Sequence, residues 1–271
     1  MMVDMHTHSE FSHDSVCPIE DMARAQAARG TAMFAVTDHF DTQFYEAWGD
    51  IYTPIARAHN AVTALRARDD LGVKVLFGVE ISEGFWFPEV YQRVMEEHEY
   101  DVVIGSVHAV KYGDLRTPYS MIDFSTWSTA ELYAYMDAYF DEIQMMFDTV
   151  DFDVLAHLTC PLRYINGKYH GGVELARYMP RMEHILKRTI DSSKALEVNT
   201  SSWTTLHDWM PPADVLRMYR DMGGRLITLA SDAHVAENAS IHFGEAVAEL
   251  KALGFEDVYY YEQRKPHPIK L

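Results

Sequence analysis

Short runs rich in β-branched and other apolar residues alternate along the chain with longer segments in which apolar positions recur at helical spacing, a pattern that predicts repeated βα units. Seven strands are predicted, at Val3 to Thr7, Met33 to Thr37, Val73 to Val79, Val102 to Val107, Asp153 to His157, Ala195 to Asn199 and Leu226 to Ala230. Helices are predicted at Pro18 to Arg29, Pro54 to Asp70, Pro88 to Glu97, Thr129 to Asp148, Gly172 to Ser192, Pro212 to Met222 and Ala236 to Leu253. Several open on proline, which suits a first helical turn because its missing N–H would have had no partner there. Met and Tyr recur at helical spacing between Tyr133 and Phe147, which marks a buried helix face. Runs such as Val75-Leu76-Phe77-Gly78-Val79 and Val102-Val103-Ile104-Gly105 are apolar almost throughout, as parallel strands covered on both faces must be. Periodicity does not choose between an open doubly wound sheet and a barrel.

Composition narrows the picture in three ways. At 271 residues with 48% hydrophobic positions, the chain is long enough for one α/β barrel, and residues 1–271 are expected to form a single domain. Two cysteines, Cys17 and Cys160, form no CxxC pair and no disulfide framework, which fits a reducing cytoplasm; no leader-like or membrane-length apolar stretch is found. A formal net charge of -18 without any cluster of Lys and Arg argues against nucleic acid as a partner, and no membrane partner is expected. Such a protein also repels small anions at long range, so phosphate chemistry on it requires a local positive centre of the kind bound dications provide.

The predicted strands share a further property: an ionisable or amide residue closes every one of them. His6-Thr7-His8 and then His13-Asp14 follow the first strand, Asp38-His39 the second, Glu80 the third, His108 the fourth, His157 the fifth, Glu197 and Asn199 the sixth, and Asp232 and His234 the seventh. In a parallel barrel these ends share one rim, so side chains spread from residue 6 to residue 234 would converge. His6 and His8 lie two apart on extended backbone and point the same way, as do Asp232 and His234. Imidazole nitrogen mixed with carboxylate oxygen, without thiolate, suits Zn, Mn or Fe at a hydrolytic site. Any one such histidine is ordinarily just hydrogen-bonded or solvated, and an isolated HxH is a weak signal. Seven apolar strands all ending in such residues are harder to explain without a metal, because buried charge is costly unless paired or ligated.

Taken in order, His6-Thr7-His8-Ser9 with Asp14, Thr37-Asp38-His39, Gly78-Val79-Glu80, Gly105-Ser106-Val107-His108, Ala156-His157 and Ser231-Asp232-Ala233-His234 resemble the motifs of the polymerase and histidinol phosphatase (PHP) family. The resemblance implies a distorted (β/α)7 barrel with a centre of three divalent metal ions at the C-terminal rim. It assigns His6, His8, Glu80 and Asp232 to the first ion, the shared Glu80 with His108 and His157 to the second, and Asp14, His39 and His234 to the third. Members carry Asp or His six positions beyond the second His of the HxH pair; here that position is Asp14, with His13 beside it.

Within the family the chain is most similar to the stand-alone histidinol-phosphate phosphatases. The resemblance thus implies a phosphate monoester hydrolase of histidine biosynthesis that acts on a small phosphorylated substrate by in-line attack of a metal hydroxide on phosphorus. Glu80, Asp232, His234 and Arg163 are the expected catalytic residues; Arg163, in His157-Leu158-Thr159-Cys160-Pro161-Leu162-Arg163-Tyr164, and Asn199 are the expected substrate contacts. Asp38 is expected to orient a ligand imidazole, and Glu197 and Asn199, at the end of the sixth strand, either to do the same or to meet the substrate. Glu83, Phe85, Trp86, Tyr119 and Trp203 are available in loops to enclose the substrate. The alternatives are a family member acting on another monoester or nucleotide, an idle metal-binding module, and an amidohydrolase-like enzyme. The last usually needs a bridging lysine, and Lys111 lies off the strand end.

Overall fold

A computed structural model describes residues 1–271. The chain runs β1 (Met2–Thr7), α1 (Ile19–Ala28), β2 (Thr31–Val36), β3 (His39–Asp41), α2 (Tyr45–Trp48), α3 (Tyr52–Arg66), β4 (Lys74–Ser82), α4 (Pro88–Glu97) and β5 (Val102–Ser106). It continues through α5 (Thr129–Thr149), β6 (Val154–Leu155), α6 (Met179–Asp191), β7 (Ala195–Asn199), α7 (Trp203–Leu206), α8 (Ala213–Asp221), β8 (Ile227–Ala230) and α9 (Phe243–Leu253), and ends in β9 (Asp257–Glu262) and β10 (Lys265–Lys270).

Seven parallel strands follow one another in the order β1-β2-β4-β5-β6-β7-β8. The seam between β8 and β1 is closed by few bonds: Asp232 N–H donates to the His6 carbonyl, and His8 N–H to the Ala233 carbonyl, both at 2.9 Å. This decides between the two topologies left open above, in favour of a nearly closed barrel of seven strands. The strands are apolar because both faces are covered: β5 is buried at all five positions and β4 at every position but Lys74. Each large apolar side chain so buried contributes about 1.5–3 kcal/mol. Gly105 permits a close approach here, since a Cβ there would sit 2.6 Å from the Phe152 ring.

Where the rim is reached, the strands lose regularity. The second predicted strand breaks at Thr37-Asp38 and resumes as β3, which pairs with β4 with His39 opposite Glu80. The break has a local cause: the Asp38 carboxylate accepts from Ser9 N–H (2.6 Å), Ser9 Oγ (2.7 Å) and Ser12 Oγ (2.7 Å), tying the loop after β1 to the end of β2. Strand β6 keeps only two ladder residues, because His157 N–H leaves the ladder for the Glu197 carboxylate at 3.0 Å.

Helix α5 begins as its sequence demands, with a reciprocal capping box between Ser128 and Glu131. Two predicted helices are shorter than expected. The segment before Met179 is a 3₁₀ turn, and α9 starts only at Phe243, after Ser240 and His242 take positive φ of 45° and 60°. The C-terminal hairpin of β9 and β10 was not anticipated. Its turn residues, Gln263 and Arg264, have φ of 51° and 60° without the usual Asn-Gly, and β10 carries Pro266 and Pro268, which an edge strand tolerates. Arg264 holds it by pairing with Asp151 and Asp153 (3.0 Å each), just before β6 and therefore at the end of the barrel away from the rim. No helix is long and apolar enough to cross a membrane.

Candidate metal centre

The rim gathers the predicted donors into one cluster around Glu80, a side chain 1% exposed at the floor of a cavity of about 250 Å³. Glu80 Oε1 lies 2.8 Å from His157 Nε2 and 3.1 Å from His108 Nε2. Its Oε2 lies 2.8 Å from His39 Nδ1, 3.3 Å from His6 Nε2 and 3.6 Å from His8 Nε2. Asp232 Oδ1 is 3.3 Å from His8 Nε2 and 3.8 Å from His6 Nε2. Asp14 reaches in from the loop after β1, with Oδ1 at 3.5 Å from His39 Nε2 and Oδ2 at 3.3 Å from His234 Nε2. All nine predicted positions are therefore within one site. Asp232 occupies its place through a left-handed backbone turn with φ of 53°, a conformation Asp tolerates better than most residues.

Hydrogen-bond accounting shows what these residues lack. His6 Nδ1 sits 2.7 Å from the Glu197 carboxylate, and His108 Nδ1 sits 3.1 Å from Asp41 Oδ1. His234 Nδ1 faces the Asp232 carbonyl at 2.9 Å. His8 Nδ1 sits 3.0 Å from Ser12 Oγ, whose own proton is given to Asp38. Each of these partners is an acceptor, so each imidazole carries its proton on Nδ1 and, when neutral, turns a lone pair inward from Nε2. Yet His6 Nε2 and His8 Nε2 face each other at 3.0 Å, and His108 Nε2 and His157 Nε2 at 3.4 Å. Where both imidazoles of a pair are neutral with Nδ1 protonated, as His6 and His8 can be, lone pairs this close repel unless a cation or a proton lies between them. The donor set thus fits divalent cations, and three groups of side chains offer converging ligand atoms: His6, His8 and Asp232; His39, Glu80 and His108; and His8, His39 and His234.

Electrostatics state the same demand. Burial opposes charge on His6, but the Glu197, Glu80 and Asp232 carboxylates outweigh it and lift its pKa well above the ordinary histidine range. His39 and His108 are raised likewise against their burial, chiefly by Asp41 and Glu80. His8 goes the other way: burial, then the neighbouring His234 and His39, push it well below that range, so it stays a neutral donor. Four carboxylates, Asp14, Asp41, Glu80 and Asp232, line the cavity, and Arg163 is its one permanently cationic side chain.

The supporting residues differ in part from expectation. Glu197 holds His6 directly, whereas Asp38 acts on His8 only through Ser12. Asn199, expected to meet the substrate, is fully buried behind the cavity and gives its amide protons to Glu197 Oε1 (2.9 Å) and Asp232 Oδ2 (3.3 Å). Arg163 does line the cavity, and its Nη1 donates to Ser201 Oγ at 3.1 Å. His13 lies beside the cluster rather than in it, with Nδ1 3.6 Å from Asp41 Oδ2 and its ring packed against Phe44 and Trp48.

Of the five loop residues expected around the substrate, Tyr119 lines the cavity. Glu83 is buried, accepts from the His108 and Ala109 backbone N–H groups (2.5 and 2.9 Å), and is pushed up to about 8 by its burial. Trp86 donates to Glu142, Trp203 stacks on Trp209, and Phe85 packs against the core. Lys111 turns its ammonium to the Trp86 ring, so no lysine enters the centre. Asp41 was missed altogether. Its only signal was the two-residue spacing from His39, visible once β3 is known to be a strand.

Replacing Glu197 by Gln tests the supporting role. One Glu197 oxygen takes the His6 Nδ1–H and the other takes His157 N–H and the Asn199 amide, so in either orientation the NH₂ of the introduced amide would confront a donor. A roughly 10–100-fold loss of metal affinity is expected, read by competition with a chromophoric chelator; unchanged affinity would remove Glu197 from this role.

The chain is similar over nearly its whole length to proteins named histidinol-phosphatase. A histidinol-phosphatase of Lactococcus lactis is 26% identical over 270 residues, covering 97% of this chain and 95% of that protein. A "Probable histidinol-phosphatase" of Clostridium acetobutylicum is 26% identical over 265 residues, covering 96% and 97%. The crystal structure of the Lactococcus lactis histidinol phosphate phosphatase, complexed with Zn, L-histidinol and phosphate, has the same fold. It superposes with a TM-score of 0.77 at 22% identity and covers 98% of each chain. The PHP domain family model matches residues 4–201, a span that takes in seven of the nine clustered donors, and the chain therefore belongs to the PHP domain family.

Proposed function

We propose that the protein is a metal-dependent phosphate monoester hydrolase whose substrate is L-histidinol phosphate and whose centre holds three divalent ions. The observation that carries this reading is the inward convergence of imidazole lone pairs and carboxylate oxygens on Glu80. The names of the full-length relatives support the choice of substrate.

His6, His8, Asp232 and Glu80 would hold one ion, Glu80, His108 and His157 a second, and Asp14, His39 and His234 a third, with Zn, Mn or Fe all compatible with the donor set. Glu80, whose two oxygens face different imidazoles, would be shared by the first two ions. When bound, such ions supply Lewis acidity toward a phosphoryl group and an activated water. Their charge also reverses the local field of four carboxylates, without which this cavity repels a phosphate.

The chain's own residues do the rest. Arg163 projects its guanidinium over the same cavity, where its planar fork suits two phosphoryl oxygens at once. Asp232 Oδ2 is turned away from the imidazoles and approached only by Asn199 Nδ2 (3.3 Å) and Ser201 Oγ (3.4 Å). His6, His8 and His234 hold Asp232 as an anion against its burial, so it has no proton of its own to give; it would take one from the attacking water and pass it to the departing alcoholate.

The test is steady-state kinetics on L-histidinol phosphate beside a panel of phosphate esters, with ion content measured on the same preparation. A clear preference for L-histidinol phosphate is expected; equal turnover of unrelated monoesters would reject the substrate, and no metal-dependent turnover of any would reject the activity. Arg163→Ala is expected to raise KM about 10–100-fold, the equivalent of one charge-assisted contact of ~1.5–3 kcal/mol, with Arg163→Lys intermediate.

A further inference from the structure

Asp4, on β1 two residues before His6, is a fully buried acid that takes no part in the proposed chemistry. The pairing of β1 with β2 slips by one residue just beyond it: Asp4 lies opposite Phe34, whereas Thr7 lies opposite Val36. The Asp4 side chain meets three other parts of the chain. Its Oδ1 accepts from Ser231 N–H at 3.0 Å, and its Oδ2 accepts from Ser231 Oγ (2.5 Å), Gln26 Nε2 on α1 (2.6 Å) and Ser240 N–H before α9 (3.1 Å). Ser240 Oγ in turn donates to Gln26 Oε1 at 2.5 Å, which fixes that amide with its NH₂ toward Asp4. Donors approach both oxygens, so the position calls for a carboxylate.

The two Ser231 bonds cross the seam where β8 meets β1, and they fall on the residue directly before Asp232. Asp232 N–H donates to the His6 carbonyl, and Asp232 then turns through its left-handed φ of 53° to reach the cluster. The backbone from which this donor departs is thus gripped from β1 at consecutive residues, Ser231 by the Asp4 side chain and Asp232 by the His6 carbonyl. Backbone bonds are few at this seam, so the Asp4 contacts are a large share of the attachment.

We propose that Asp4 is a positioning residue for the metal cluster, clasping the barrel seam from β1 and thereby fixing where Asp232 enters. Its effect on turnover rests on the function proposed above. A catalytic constellation tolerates displacements of only about 0.5 Å, so a loosened Ser231–Asp232 turn costs ion affinity and rate before it costs the fold. The network also contains its own control. Gln26 and Ser240 share Asp4 Oδ2, but they tie down α1 and the turn before α9, neither of which supplies a donor to the cluster.

The experiment compares wild type, Asp4→Asn, Ser231→Ala and Gln26→Leu by thermal melts, competition for Zn²⁺ with a chromophoric chelator, hydrogen exchange over residues 228–236, and kcat on L-histidinol phosphate. Asn offers one accepting oxygen in place of two, so its NH₂ confronts either the Ser231 N–H or the Gln26 and Ser240 donors. Asp4→Asn is expected to lower Zn²⁺ affinity and kcat by roughly 10–100-fold each and to speed exchange over 228–236. Ser231→Ala should move all three in the same direction by a smaller factor. Gln26→Leu should lower the melting temperature yet leave affinity, kcat and exchange over 228–236 near wild type. Losses that merely track melting temperature across the three variants, or wild-type affinity and exchange in Asp4→Asn, would reduce Asp4 to a packing role and overturn the inference. If Asp4→Asn does not fold, Ser231→Ala decides on the same criteria. Affinity and exchange need no turnover, so Zn²⁺-loaded wild type that hydrolyses no phosphate ester would reject the proposed activity while these two readouts still decide the role of Asp4.

Discussion

Glu80→Gln is expected to lower kcat for phosphate monoester hydrolysis by roughly 10³-fold or more, with the fold retained, because it strikes the one group toward which five imidazoles point. The substitution changes no volume, so barrel packing is not disturbed. What it changes is charge and hydrogen-bonding sense. Burial raises the Glu80 pKa, but His108, His6 and His39 more than reverse this and hold it well below the usual carboxylate range, so the residue is an anion in the cluster. Gln supplies one acceptor and one donor where two acceptors were, and its NH₂ must then face imidazole nitrogens that are already oriented for a cation. Steady-state kinetics, ion content and a thermal melt on the same sample separate the outcomes. A folded variant with normal ion content and wild-type turnover would be incompatible with Glu80 as the bridging residue.

Removal of the ions is the second large effect. Exhaustive chelation should abolish turnover and lower the melting temperature, with both restored by adding back a divalent ion. An ion present at a thousandfold over its dissociation constant stabilises the folded state by about 4 kcal/mol, which for a chain of this size corresponds to a shift on the order of 10 °C. The loss should be staged. His6 and His8 are 0% exposed, whereas the Asp14 side chain is 45% exposed, so an ion bound by the proposed set Asp14, His39 and His234 should exchange first. Identical melting curves before and after chelation, with no ions found by elemental analysis, would leave the facing lone pairs unexplained and count against a metal centre.

The parts of this structure that were legible in the sequence are those governed by one-dimensional pattern. The seven strands follow from fully apolar runs, and their ends from the abrupt change to His, Asp or Glu. The motifs resembling the PHP family then supplied the grouping of donors that spacing alone does not. What escaped was set by contacts distant in sequence. Strand β3 exists because Asp38 is drawn to Ser9 and Ser12, and no punctuation residue marks that break. The β9–β10 hairpin was hidden by two prolines and a turn without glycine, and it is held by Arg264 reaching back to Asp153. A polar residue at a strand end can support a ligand or meet the substrate, and spacing does not choose between the two for Asn199; the structure uses it to hold Asp232 and Glu197 from behind.

The narrow seam of the barrel has a consequence for how the protein matures. Only a couple of backbone bonds join the first strand to the last, yet each side of that junction contributes donors to the same cluster, His6 and His8 from one and Asp232 and His234 from the other. A nascent chain emerging from its N-terminus therefore owns an incomplete ligand set until the eighth strand has docked. Ions bound at this cluster would therefore be captured late in biogenesis and would act as rivets across the joint that the polypeptide itself fastens least.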